Sequence, residues 1–303
     1  MRVMTDATRR PTHAFAAMLA DGIRYERGGV VARARECFET VTRYAHEDPV
    51  AAAEAWWRLA NVHRLHSTWD DALEAARTGA ALARTHGLGD VEADALNIEG
   101  AVWMQRGDFE KARAMFNRML ELAKDPGIRG KALQNLGTLA AEDRAFDEAE
   151  RLFASSREAY RTAGDARGEA CSLLNIGRLQ TERGFPVVAR DTLEAAVAGA
   201  RHSGDLEMHA AALLNLGITL GALGLASEAE ERITTAYGQF TIADIPAQRV
   251  LCLMQLASLA ANRGESEGAR ICLAHARTVA SSAGLPRELS LIDQQLSALP
   301  PVA

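Results

Sequence analysis

The chain repeats itself, and the period constrains its fold more than any other feature. The phrases "LLNIG" (173–177) and "LLNLG" (213–217) stand forty residues apart. Their final glycine belongs to a series of small residues, Gly22, Ala60, Gly100, Gly137, Gly177, Gly217 and Ala257, at intervals of 38, 40, 37, 40, 40 and 40. Twelve residues after each stands an alanine: Ala34, Ala72, Ala112, Ala149, Ala189, Ala229 and Ala269. Four further on comes a core-type residue: Phe38, Ala76, Phe116, Phe153, Leu193, Ile233 and Leu273. Four before each anchor the residue is large and apolar, from Met18 and Trp56 to Leu253. Apolar positions within a unit recur three and four residues apart, which is helical spacing in both halves. The halves are separated by a turn that usually carries glycine: Gly29, Gly107, Gly184, Gly224 and Gly264. Pro186 follows one such turn, at a position where a starting helix tolerates proline. The anchor is expected to face the small alanine of the second helix, letting two backbones approach closely.

These offsets resemble the tetratricopeptide repeat (TPR) family over residues 14–284. The resemblance implies an all-α protein: an α-solenoid, a right-handed TPR superhelix of about seven helix-turn-helix repeats. The units are near forty residues, longer than the commonest form, so either the second helix or the inter-repeat turn is extended. That version resembles the TPR domains of bacterial regulators and motor-protein light chains. Repeat 2 departs from the pattern, with Ala76 and Gly79 where bulkier residues are usual. Units end on glycine-type stops in "AGD" (163–165), "SGD" (203–205) and "AGL" (283–285). A last amphipathic segment (286–300), within a region 285–303, is expected to cap the array, because a repeat cannot bury its apolar face alone. Residues 1–13 read as a disordered lead rather than a signal peptide, since the apolar run "AFAAMLA" is short and ends at Asp21.

Composition excludes several function classes. The net charge is −6 and the pI about 5.8, unlike a basic nucleic-acid footprint, so no nucleic-acid partner is expected. Cys37, Cys171, Cys252 and Cys272 show no metal or disulfide spacing and suit a reducing, cytoplasmic setting. The longest uncharged stretch (210–227) barely reaches membrane-spanning length and reads as a buried repeat helix, so no membrane partner is expected.

Catalytic signatures are missing: no GxxxxGK[ST], no HExxH, and no GxGxxG after a strand. "GESEG" (264–268) matches G-x-S-x-G, but no strand precedes it, and Ser266 reads as the N-cap of a second helix. His63 and His66 lie three apart, yet His63 fills the slot of Tyr25 and Trp103, which favours packing over a metal. The chain is therefore read as a non-enzyme without cofactor or metal.

Within the resemblance, function belongs to the concave face, lined by first helices, where the family holds peptides. The corresponding slots carry Trp57, Arg58, Asn61 and Arg64 in repeat 2, and Asn97, Met104 and Gln105 in repeat 3. They carry Lys131, Gln134 and Asn135 in repeat 4, and Asn175 and Arg178 in repeat 5. Repeats 6 and 7 turn apolar, with Leu214, Ile218, Leu251 and Met254. Asn135, Asn175 and Asn215 occupy one slot in successive repeats, followed by Gln255. Such a ladder of amides either pairs with an extended peptide backbone or orders the helices locally. Trp57 is either an anchor for a ligand or packing under the first repeat. The expected function is a peptide-binding module, with a ligand along repeats 2–6, its polar or acidic part on the arginines and its apolar part on Leu214, Ile218 and Met254. The alternatives are a regulatory or scaffold subunit docking a folded partner, or a homodimer with itself. A peptide-sensing receptor is also open, expected to lack a helix-turn-helix output domain because only thirteen residues precede the repeats.

Overall fold

The computed structural model describes residues 11–44 and 46–300. Among them are fifteen α-helices and no strand. The chain divides into two compact units, residues 1–163 and 164–303. In the first, α1 (Pro11–Arg27) pairs with α2 (Val31–Arg43), and α3 (Pro49–Leu65) with α4 (Trp69–Thr85). There too α5 (Gly89–Gln105) pairs with α6 (Phe109–Leu122), and α7 (Pro126–Glu142) with α8 (Phe146–Ala163). In the second, α9 (Ala166–Glu182) pairs with α10 (Pro186–Ser203), and α11 (Leu206–Ala222) with α12 (Ala226–Ile242). Its third pair is α13 (Pro246–Asn262) with α14 (Ser266–Ser282), and α15 (Pro286–Ala298) packs on both, burying Ile292. Each unit is thus a stack of helical hairpins at the period read from the sequence. The lead expected over 1–13 lies, for residues 1–10, outside the described residues, and α1 already starts at Pro11.

Unit length is set by the second helix. The paired first helices are all 17 residues long. The second helices run 17 or 18 residues in the longer units but only 13 and 14 in α2 and α6, where the interval drops to 38 and 37. The hairpin turn always takes a left-handed residue seven after the anchor. Glycine serves five times, and Ser67 (φ 59) and Arg144 (φ 58) take the slot in repeats 2 and 4. In "AGD" and "SGD" the glycine ends one helix in the left-handed region, and Asp165 or Asp205 accepts a backbone N–H from the first turn of the next. Ser266 behaves otherwise than expected: Glu265 holds the N-cap position and no side chain caps α14, because the turn residue before it already brings Ser266 into helical geometry.

The hairpins lock by a hole and a knob. A Cβ built on Gly100 would sit 2.5 Å from the Phe116 ring, on Gly137 2.7 Å from Phe153, and on Gly177 2.5 Å from Leu193. The anchor therefore faces the large residue sixteen positions on, which corrects the expected contact with the alanine twelve on. The missing side chain makes room for a ring, and the alanines lie beside it, fully buried. In repeat 2 the sizes are rearranged. Ala60 and Ala76 are both small, and Trp56 and Trp57 fill the space against Ala75 and Ile98.

The stacking is asymmetric. Within each unit each first helix touches the next first helix: α1 and α3, α3 and α5, α5 and α7; then α9 and α11, α11 and α13, α13 and α15. Among the described residues, no second helix touches the following second helix. First helices thus line the tighter side of each unit.

Gly137→Ala is expected to cost about 1–3 kcal/mol by overpacking Phe153, even though alanine is the better helix former. Combining Gly137→Ala with Phe153→Leu would recreate the Ala257–Leu273 pair of repeat 7, so the double variant should lose less than the sum of the singles in urea unfolding. Additive losses would show that the two positions do not meet. Gly224→Ala, at φ 77 with open space around it, should cost about 1–2 kcal/mol through backbone strain alone.

Candidate ligand-binding face

On the tighter side of the first unit, α3 presents Glu54, Trp57, Arg58, Asn61 and Arg64 at spacings of three and four residues, one stripe of the helix. Arg58 is already engaged. It donates to Glu26 Oε2 of α1 (2.8 Å) and twice to Glu54 Oε1 (2.9 and 3.1 Å), and its guanidinium lies 4.3 Å from the Trp57 ring centre. With a side chain only 16% exposed, it ties α1 to α3 rather than standing free for a ligand. Asn61 donates to Glu26 Oε1 (3.4 Å) and accepts from Arg64 (2.9 Å). Arg64 has that amide and, among the described residues, no carboxylate partner. Burial lowers its pKa from the ordinary arginine value, because the cation has given up water without gaining an anion. Trp57 is half-buried, packed on the repeat 2 core along one side.

The neighbouring helices continue this surface. Asp94 of α5 faces Lys131 of α7 (3.3 Å). Burial raises the Asp94 pKa above the usual carboxylate value, against the opposing pull of Lys131 and Arg58. Asn135 donates to Asn97 Oδ1 at 2.7 Å, which links α7 to α5. Gln134 and Met104 are half-buried, and Gln105 is exposed.

In the second unit, Asn215 donates to the Ala211 carbonyl one turn back (2.8 Å), the local ordering that the amide ladder left open. Asn175 and Arg178, one turn apart on α9, have no hydrogen-bond partner among the described residues, and Arg178 is exposed. Two of the apolar candidates are core residues. Leu214 is 2% exposed and Met254 8%, both inside hydrophobic clusters, so they do not present to a ligand. Ile218 is half-buried beside a recess, and Leu251 stays exposed.

Sequence reading missed the acidic partners. Glu54, Asp94 and Lys131 share one slot, six before the anchor, and the two acids followed by a base stand there in the sequence itself. It also missed two buried carboxylates on α5. Glu99, where repeats 2 and 4–7 carry leucine or isoleucine before the anchor, accepts from Arg77 Nε at 2.8 Å and from Trp103 Nε1 at 3.4 Å. Glu92 accepts from Arg84 at 2.9 Å. Both arginines belong to α4.

Groups of catalytic type are muted. Burial pushes the Cys252 thiol up to about 12. His63 Nδ1 lies 3.0 Å from Thr68 Oγ1 in the hairpin turn. Among the described residues no three His, Cys, Asp or Glu side chains could hold a metal ion together, and no helix is long and apolar enough to cross a membrane.

No family model matches the chain. Over 127 residues, 41% of the chain, it is 30% identical to Regulatory protein AfsR of Streptomyces griseus, and the match spans only 13% of that protein. A Rap protein solved in complex with competence and sporulation factor superposes with a TM-score of 0.72 at 17% identity, over 92% of this chain and 80% of that one. The apo quorum sensor NprR from B. thuringiensis does so with 0.73 at 11%, over 89% and 77%. At these identities the likeness is one of fold. The chain is a TPR-type helical repeat protein, sharing its architecture with solved tetratricopeptide repeat proteins.

Asp94 yields a pH test. Its folded pKa lies above the unfolded value, so its ionisation opposes folding. That penalty is absent below the ordinary carboxylate pKa and grows as pH rises through the folded pKa. Asp94→Asn should therefore raise the melting temperature at pH 7 and leave it nearly unchanged near pH 3. A variant less stable at pH 7 would show that the Lys131 pair outweighs desolvation.

Proposed function

We propose that the chain is a binding module that holds an acidic peptide or protein segment on the first-helix face of its first unit. The observation that carries this reading is Arg64: a half-buried cation beside Asn61, with no anion of its own. Burying a charge without a partner is costly, and a ligand carboxylate placed there would relieve the cost. Asn61 holds the guanidinium in place, and the open side of the Trp57 ring supplies apolar area nearby. Arg58, neutralised by Glu26 and Glu54, supports the ring from behind. The complex of the Rap protein with its factor is consistent with a signal-binding role for this fold, as is the name of the regulator matched in sequence. A docking subunit for a folded partner is the second reading. It is favoured by Phe185, Val187 and Val188, which stand 53–59% exposed at the start of α10, away from the first-helix side.

The test is selection of peptides from a random display library on the immobilised chain. Acidic residues should be enriched at one fixed position of the bound peptides. Arg64→Ala should abolish that preference and flatten the salt dependence of binding without lowering the melting temperature, since it removes a desolvated charge. Trp57→Ala should weaken binding by about 2 kcal/mol. Arg151→Ala, on the exposed side of α8, should be silent. Peptides that bind both groove variants as tightly as the wild type would rule out this face and favour the docking reading.

A further inference from the structure

The first-helix position that follows α14 is cut short. Helix α15 keeps the register of α13: Pro286 takes the slot of Pro246 and Gln295 that of Gln255, each forty residues on. Yet α13 continues to Asn262, whereas α15 stops at Ala298, four slots early. The cause is local. Pro300 forces the residue before it out of helical geometry, and Leu299 is extended at φ −74, ψ 142. Among the described residues the last turn of α13 therefore has no helix beside it on the side where α11 has the full-length α13.

A recess of about 220 Å³ opens there, walled by Ser258, Ala261, Asn262, Leu273 and Gln295. A second of about 170 Å³ adjoins it toward α11, shares Ser258 and Asn262, and includes Ile218 and Gln255. No charged side chain lines either one. Gln295 Oε1 is buried without a hydrogen-bond partner. Gln255 likewise has none among the described residues. Asn215, one repeat before Gln255 in the same slot, spends its amide on its own helix. The longer glutamine carries the amide past that carbonyl and into the recess.

We infer that these two recesses form a subsite for an uncharged, extended peptide segment with two aliphatic side chains three residues apart. This rests on the reading of first helices as the binding face. The lining offers no counter-ion, so a charged side chain would be stranded there. The orphaned Gln295 oxygen accepts a backbone N–H, which removes an existing penalty. Adjacent first helices pack about 8–10 Å apart, and three residues of polyproline II chain span about 9 Å and return to the same face. Consecutive recesses therefore match residues i and i+3. Each is smaller than a drug-sized pocket of about 300–1,000 Å³, which suits single side chains rather than a compact ligand.

The probe is the labelled peptide acetyl-Ser-Leu-Ala-Ser-Leu-Ala-amide, titrated into the full chain by fluorescence anisotropy. Replacing either leucine with glutamate should weaken binding at least tenfold. Gln295→Leu should weaken it about fivefold, with the melting temperature unchanged or higher. N-methylating the second leucine should cost affinity in the wild type and nothing further in that variant. Ala298→Trp, on an exposed position at the mouth of the recess, should block binding. Equal affinity for the glutamate peptide, no binding of the leucine peptide, or binding indifferent to both variants would overturn the subsite. If library peptides still bind through Trp57 and Arg64, the broader reading survives that failure. If those also bind indifferently to both faces, the two fall together.

Discussion

Five of the seven hairpins depend on one contact, a large side chain from the second helix pressed into the place where the first helix has none. With Phe116, Phe153 or Leu193 seated against glycine, the helices are fixed in depth and in rotation at once. Every other position then has a determined direction. The alanine twelve residues after the anchor is buried beside the knob, and the residues four before it feed the core between hairpins. What is left on the first helix points to the tighter side of the stack. The polar stripe of α3 is where it is because Ala60 and the two tryptophans perform this locking by a different division of volume.

The period was legible in the sequence because the lock is local and recurs at fixed offsets, so helices, turns and repeat borders could all be located by counting. Counting does not give directions between side chains. It named the glycine and the alanine as partners because both are small, whereas the Cβ geometry sets the glycine against the ring four residues further on. It treated a groove slot as equally open in every repeat, although Leu214 and Met254 belong to the core.

Charge was harder to read than packing. Arg58 and Arg64 look alike in the alignment, and only the placement of Glu26 and Glu54 separates a neutralised strut from an unpaired cation. Asn135 and Asn215 occupy one slot but bond differently, one across to Asn97 and one back to its own helix. Such distinctions depend on a few ångströms between side chains from different repeats. A periodic sequence specifies those only through the particular residue that each neighbour carries.

The buried carboxylates of α5 give the stack an order. Much of the contact between neighbouring hairpins is apolar, and apolar contact alone discriminates little between one hairpin and another. The junction between α4 and α5 is different: Glu92 and Glu99 require Arg84 and Arg77 on the preceding hairpin. Duplicating, deleting or permuting units at that border would leave two buried carboxylates without their cations, a penalty that the exposure of Arg77 and Arg84 to water reduces. Repeats 2 and 3 are therefore complementary to each other in charge. The hairpin carrying Trp57 and Arg64 is thus matched on both sides, to α1 by Arg58 and Glu26 and to α5 by Arg77 and Arg84 with Glu99 and Glu92.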